Sequence, residues 1–227
     1  MSKFADTLRM SIEWYVEHLD RDGKVIWSDK GVNSLALDGE NFHLTDLYRG
    51  QTSQVERFYI ALVNYTPTKT SVMNDLTGEP NGLGYERQLI ERDATGFPTL
   101  ALDAGDYQIT SKTVTFTASG GNWSTVTYAI LTNLWGVTWT ANTSKSIGDW
   151  VRPTSPNKHL YKCTTGGTTG STEPTWPTNG GTVNDGTVTW QDMGTGLLIS
   201  YFQLSTPRTL ADGESLNCTL KVKQTTA

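Results

Sequence analysis

The sequence predicts a mainly β protein: an antiparallel β-sandwich with a helical N-terminal arm and a small inserted β module. Three observations lead there. From Arg57 onward, short apolar or alternating runs stand between turns marked by Gly and Pro. Helical spacing is confined to the N-terminal arm, residues 1–54. Between Trp139 and Met193 the chain is crowded with Thr, Gly, Pro and Asn, yet it carries Trp150, Trp176 and Trp190. Disordered segments are poor in aromatic residues, so this stretch reads as a compact, loop-rich module.

The arm comes first. Phe4, Leu8, Ile12, Tyr15 and Leu19 recur at spacings of three and four, the pattern of one helix face. Asp20-Arg21-Asp22-Gly23 reads as a turn and Lys24–Trp27 as a short strand. Asp38 is a candidate N-cap for a second helix through Tyr48, with Phe42, Leu44, Leu47 and Tyr48 on its apolar side and Gly50 as its stop. An apolar helix face bearing Trp14 and Trp27 has two destinations, a neighbouring subunit or its own domain. The candidate assembly contacts are Phe4, Leu8, Ile12, Trp14 and Trp27.

The sandwich is expected over 55–139 plus 195–227. Phe58–Val63 is a continuous apolar run, as in a strand covered on both faces. The stretch from Thr66 to Tyr85 is loop. Tyr107–Ile109, Thr113–Thr117, Trp123–Leu131, Leu197–Leu204 and Ser215–Val222 supply further strands, and Leu102–Tyr107 holds a turn. Val126–Leu131 and Leu197–Leu204 would be natural neighbours if the middle were removed, which makes residues 140–194 an insertion at a loop. Within it, Asp185-Gly186 is a hairpin signal. Tyr161 and Trp190 are expected to form its small core, while Trp176, held between Pro174 and Pro177, divides evenly between core and exposed surface.

Composition excludes several function classes. The 227 residues hold 18 Lys+Arg against 23 Asp+Glu, a net charge of −5, which does not suit a nucleic-acid groove. No run approaches the roughly 20 apolar residues of a membrane span. The start Met1–Asp6 has no apolar secretion core, so synthesis in a cytoplasm is expected. Cys163 and Cys218 sit in strand-like runs and read as buried thiols. His18, His43 and His159 have no ligand-spaced partners, so no metal site is expected. No nucleophile elbow, dinucleotide loop or phosphate loop occurs. The expectation is a non-enzyme without a cofactor.

Two resemblances bear on function. Gly148-Asp149-Trp150-Val151, Tyr161-Lys162-Cys163, Glu173-Pro174-Thr175-Trp176 and Asp185-Gly186-Thr187-Val188-Thr189-Trp190 resemble the small chitin- and cellulose-binding modules that recur in phage tail and fibre proteins. The likeness spans residues 144–193 and lacks the adjacent aromatic pairs usual in the chitin-binding versions. It implies Trp176 and Trp150 as carbohydrate-binding residues. Further stretches, Gly31-Val32-Asn33, Asn41–Leu47, Phe58–Leu62, Gly82–Arg87, Thr113–Ala118, Trp123–Val126, Leu204-Ser205 and Arg208–Leu216, resemble a family of tailed-bacteriophage virion structural proteins. That likeness implies a sandwich over residues 55–224 with the module looped out. It also implies residence in the virion after synthesis in the host cytoplasm, with copies of itself and other virion proteins as partners. The alternative is an adhesin that recognises host surface polysaccharide through the module. A polysaccharide depolymerase would need two opposed carboxylates, and no candidate pair appears.

Overall fold

The computed structural model describes residues 8–49, 57–134, 136–155 and 157–226. In chain order the elements begin with β1 (Leu8–Leu19), β2 (Val25–Val32), β3 (Ser34–Leu35), α1 (Leu37–Arg49) and β4 (Arg57–Val63). Next come β5 (Gln88–Glu91), β6 (Thr99–Asp103), β7 (Asp106–Thr110), β8 (Val114–Thr117) and β9 (Val126–Thr132). Then follow the short strands β10 (Val137–Thr138), β11 (Ser144–Lys145), β12 (Trp150–Arg152), β13 (Tyr161–Thr165) and β14 (Gly167–Thr168). The last are β15 (Thr182–Asp185), β16 (Val188–Asp192), β17 (Leu198–Arg208) and β18 (Ser215–Thr226). The protein is mainly β, its strand pairs antiparallel except β10 with β12.

The chain divides into two compact units. The first holds Met1–Ser71, Leu76–Thr132 and Leu198–Ala227; the second holds Val72–Asp75 and Asn133–Leu197. The first contains two sheets. One runs β2-β1-β18-β7-β6, with β8 also on β18; the other runs β3-β17-β9-β4-β5.

Within the helix expected over Phe4–Leu19, the described residues Leu8–Leu19 form a strand. β1 pairs residue for residue with β18, from Leu8↔Thr226 to Leu19↔Ser215, and with β2 on its other side. Its burial has period two: Ile12, Trp14, Val16 and His18 are buried, and Glu17 between them is exposed. The side chains facing inward from β18 are Leu216, Cys218 and Leu220, and from β8 Val114 and Phe116. The Trp14 ring stacks on Phe202 of β17 at 6.2 Å and 7°. Trp14 and Ile12 are therefore core residues of this chain and not contacts for a neighbour. Phe4 lies outside the described residues, and Leu8 is described in its backbone only. Trp27 is half-buried, with the Arg208 guanidinium 4.9 Å from its ring centre. Residues 8–49 are thus part of the first unit and not a separate arm.

The expected second helix is present as α1, starting at Leu37. Asp38 falls inside it and not at its cap; one carboxylate oxygen accepts the Leu198 N–H at 3.3 Å. The helix lies so close to β17 that a Cβ on Gly39 would stand 2.0 Å from the Ile199 carbonyl oxygen. Gly50, the expected stop, lies outside the described residues. β4 is buried from Tyr59 to Val63, as its continuous apolar run requires. Beside it the Leu62 N–H donates to the Tyr85 hydroxyl, which donates to Glu79, itself clasped by Arg87 at 2.7 and 2.8 Å. Burial pushes the Tyr85 hydroxyl well above its ordinary pKa.

β9 and β17 are paired neighbours, with Thr132 opposite Leu198. The chain between them makes up most of the second unit, which is wider than 140–194. It takes in β10, which pairs with β12, and Trp139, whose indole is buried there. Its sheet runs β10-β12-β13-β16-β15, with β11 and β14 paired separately.

Candidate functional site

Two surfaces bear on function, one in each unit. In the first unit the surface is the far end of the inner face of the six-stranded sheet. Registered pairs place Ile12 opposite Val222, Val222 opposite Ile109, and Ile109 opposite Leu100. Paired residues share a face, so these four form one row across β1, β18, β7 and β6. Exposure climbs along the row. Ile12 is 1% exposed, Val222 and Ile109 are half-buried, and Leu100 is 67% exposed. The neighbouring pair Leu102 and Tyr107 is 63% exposed at both positions. The core face thus runs on beyond its cover.

Helix α1 borders that face and leaves a groove of about 600 Å³ lined mostly by apolar side chains, among them Met10, Leu44, Leu47, Tyr48, Leu100 and Tyr107. Phe42 anchors α1 and is buried. Leu44, Leu47 and Tyr48, expected to form the apolar side of the helix, are 60, 65 and 69% exposed. The groove also carries His43 and Asp46. One Asp46 oxygen accepts from Arg92; the other oxygen and His43 Nε2 are buried without a hydrogen-bond partner. Burial holds His43 below its ordinary pKa, opposed by Asp46 and reinforced by Arg92. Around them the groove is mostly apolar, with Glu40, Gln108 and Gln224 as its other polar residues beside Tyr48 and Tyr107.

In the second unit, Val151, Tyr161, Cys163, Val188 and Trp190 form the core, and Trp176 packs on its edge. The Trp176 ring lies 4.3 Å from Tyr161 and 6.2 Å from Trp190. Its indole N–H donates to Glu173 at 2.8 Å, and the same carboxylate accepts the Thr154 backbone N–H at 2.9 Å. Burial raises the Glu173 pKa, but the bond from the Thr154 hydroxyl together with these two outweighs it and holds the carboxyl below its ordinary value. Glu173 and Trp176 therefore tie the loop to the core, where Trp176 is partly buried.

Trp150 sits elsewhere. It pairs with Lys162, and its neighbour Val151 pairs with Tyr161. Successive strand residues point to opposite faces. Val151 and Tyr161 belong to the core face that carries Trp176, so Trp150 and Lys162 lie on the other face, with the Lys162 ammonium 5.5 Å from the Trp150 ring centre. The two residues implied for carbohydrate binding are not brought together into one aromatic platform.

The residue that sequence reasoning undervalued is Asp185. One oxygen accepts the indole N–H groups of Trp139 at 2.7 Å and Trp190 at 2.9 Å; the other accepts the Gly170 N–H at 2.7 Å. The turn beside it requires Gly186, whose φ is +61° and whose Cβ would stand 2.4 Å from the Thr168 carbonyl oxygen. An acid followed by glycine signalled the turn; nothing nearby in sequence signalled that the acid joins the Trp190 indole of its own hairpin to that of Trp139, 46 positions away.

Cys163 and Cys218 are buried and free, and burial pushes the Cys218 thiol up to about 12. Among the described residues no cluster of three or more His, Cys, Asp or Glu is placed to hold a metal, and no helix is long and apolar enough to cross a membrane. Comparison of the chain with protein-family models, curated proteins and solved structures finds no match.

Proposed function

We propose that this chain is a structural subunit of a tailed-bacteriophage particle that works by assembly and not by catalysis. On this reading the two sheets of the first unit form a β-sandwich, and the open end of its core face is an assembly surface. The single observation that carries the reading is the row Ile12, Val222, Ile109, Leu100, in which core-type residues pass from fully buried to mostly exposed. Exposed apolar surface of this extent marks an interaction site. The phage assignment is supported by the sequence resemblance over most of the first unit. The test is electron microscopy of purified particles with a gold-labelled antibody against this chain. Gold at one repeated position in the particle is expected; particles without label overturn the reading.

A second reading, recognition of host glycans through the second unit, is supported by the partial exposure of Trp176. Particles assembled with a chain lacking residues 133–197 separate the two. Assembly with normal attachment favours the structural role, and assembly without attachment favours the adhesin.

A further inference from the structure

We propose that the partner on this apolar surface is a second copy of the same chain, joined antiparallel along β6 so that two six-stranded sheets become one. The inference rests on the assembly reading and names its first step.

The edges of the sheets decide the choice. Native edge strands are protected by charge, proline or brevity. β2 carries Asp29 and Lys30; β5 is four residues long and ends in Glu91; β3 has two residues. β6, the other edge of the six-stranded sheet, reads Thr99-Leu100-Ala101-Leu102-Asp103, with one charge at its end and two exposed leucines on the core-side face.

Its backbone is also arranged to pair with itself. Asp103 and Asp106 flank a two-residue turn, Ala104-Gly105, with φ of +50° and +90°. Residues flanking such a turn exchange both hydrogen bonds, and direction alternates from there. Ala101 and Thr99 therefore also turn their N–H and C=O toward β7. Leu100 and Leu102 turn theirs to the open edge, where among the described residues no strand lies. In an antiparallel pair about a two-fold axis, Leu100 meets the partner's Leu102 and Leu102 meets the partner's Leu100, which uses all four outward N–H and all four outward C=O positions in reciprocal bonds. The leucines then cover one another across the joint.

The area is sufficient. At their fractional exposures, Leu44, Leu47, Tyr48, Leu100, Leu102 and Tyr107 leave about 700 Å² open. This exceeds the roughly 300–600 Å² of the largest patch on an ordinary monomer and approaches the roughly 800 Å² per partner of a stable complex.

The register makes the test specific. Ala101 faces the partner's Ala101 at a non-hydrogen-bonded position, where Cα atoms stand about 4.5 Å apart, within disulfide reach. The native thiols are buried, so background cross-linking is low. Full-length Ala101→Cys under mild oxidation is expected to give a covalent dimer, while Lys24→Cys, an exposed position beside β2, is expected to give no covalent dimer. By sedimentation at about 100 μM, far above the Kd of a well-packed interface of this size, the native chain is expected to be dimeric. Leu102→Lys is expected to be monomeric with an unchanged circular dichroism spectrum. A monomeric native chain, or an Ala101→Cys variant that fails to cross-link, overturns the inference. Such a result leaves the assembly reading standing if gold still labels the particle; a cross-linked dimer absent from particles removes that reading alone.

Discussion

The sharpest consequence of the second unit's architecture is the cost of removing Asp185. The residue is 3% exposed, and its carboxylate is the acceptor for two indoles from separate parts of the unit. Asp185→Ala leaves the Trp139 and Trp190 N–H groups without an acceptor, in residues only 8% and 0% exposed. A buried donor left unpaired costs about 1–3 kcal/mol, so the two together cost about 4 kcal/mol. The Gly170 N–H loses its partner as well. Asp185→Asn keeps one carbonyl oxygen for the indoles but turns an amide N–H₂ toward the Gly170 N–H, and loses about 1–3 kcal/mol. For a unit of this size, 4 kcal/mol lowers Tm by roughly 15 °C or more. The assay is denaturant and thermal unfolding of the full chain followed by tryptophan fluorescence, because Trp139 and Trp190 report on this unit. The expected order of stability is native, then Asn, then Ala. An Ala variant within about 1 kcal/mol of native, the range of ordinary surface substitutions, refutes the argument that Asp185 organises the core.

Two further outcomes follow from the first unit. His18 is buried, takes the Arg208 N–H at Nδ1 at 2.7 Å, and so donates from Nε2 to Glu214 at 3.1 Å. Burial first, then the Arg208 charge, hold its pKa below 6.5, against the pull of Glu214. The unfolded chain thus binds the proton more readily, so stability is full above pH 6.5 and falls as pH drops through the lower folded value; His18→Gln flattens that slope in acid unfolding curves. Replacing residues 133–197 by Asn-Gly joins two registered partners, Thr132 and Leu198, through a two-residue turn; the shortened chain is expected to keep the amide-exchange protection of β9 and β17, and its loss there contradicts the described connection.

Where the sequence misled, the physical reason is identifiable. The first segment satisfies two periods at once. Phe4, Leu8, Ile12, Tyr15 and Leu19 fit a helix, but Ile12, Trp14, Val16 and His18 fit a strand, and Glu13 and Glu17 alternate with them. Local spacing does not decide between these; the pairing of twelve residues of β1 with β18 does, and that partner lies at the far end of the chain. Helix α1 was legible because Asp38 marks a start, Gly50 a stop, and Phe42, Leu44, Leu47 and Tyr48 recur on one side between them. Its apolar side was legible too, but not that this side would stand uncovered. The hairpin of β6 and β7 was foreshadowed by Asp103-Ala104-Gly105-Asp106, whereas the exposure of Leu100 and Tyr107 depends on how far the opposing elements reach. In the second unit, Tyr161 and Trp190 are core residues as their surroundings suggested, since so small a unit has few other large groups to bury. The opposite facing of Trp150 and Trp176 follows from strand register, which no local motif encodes.

The central claim is that the uncovered core face of the first unit is an assembly surface, and amide hydrogen exchange tests it most directly. Exchange is compared between the free chain and the same chain within purified particles. The account predicts new protection in the particle at Leu100 and Leu102, whose backbone groups face the open edge, and slower exchange along α1 from Leu44 to Tyr48. Unchanged exchange at those residues, with new protection confined to other surfaces of the chain, would contradict it.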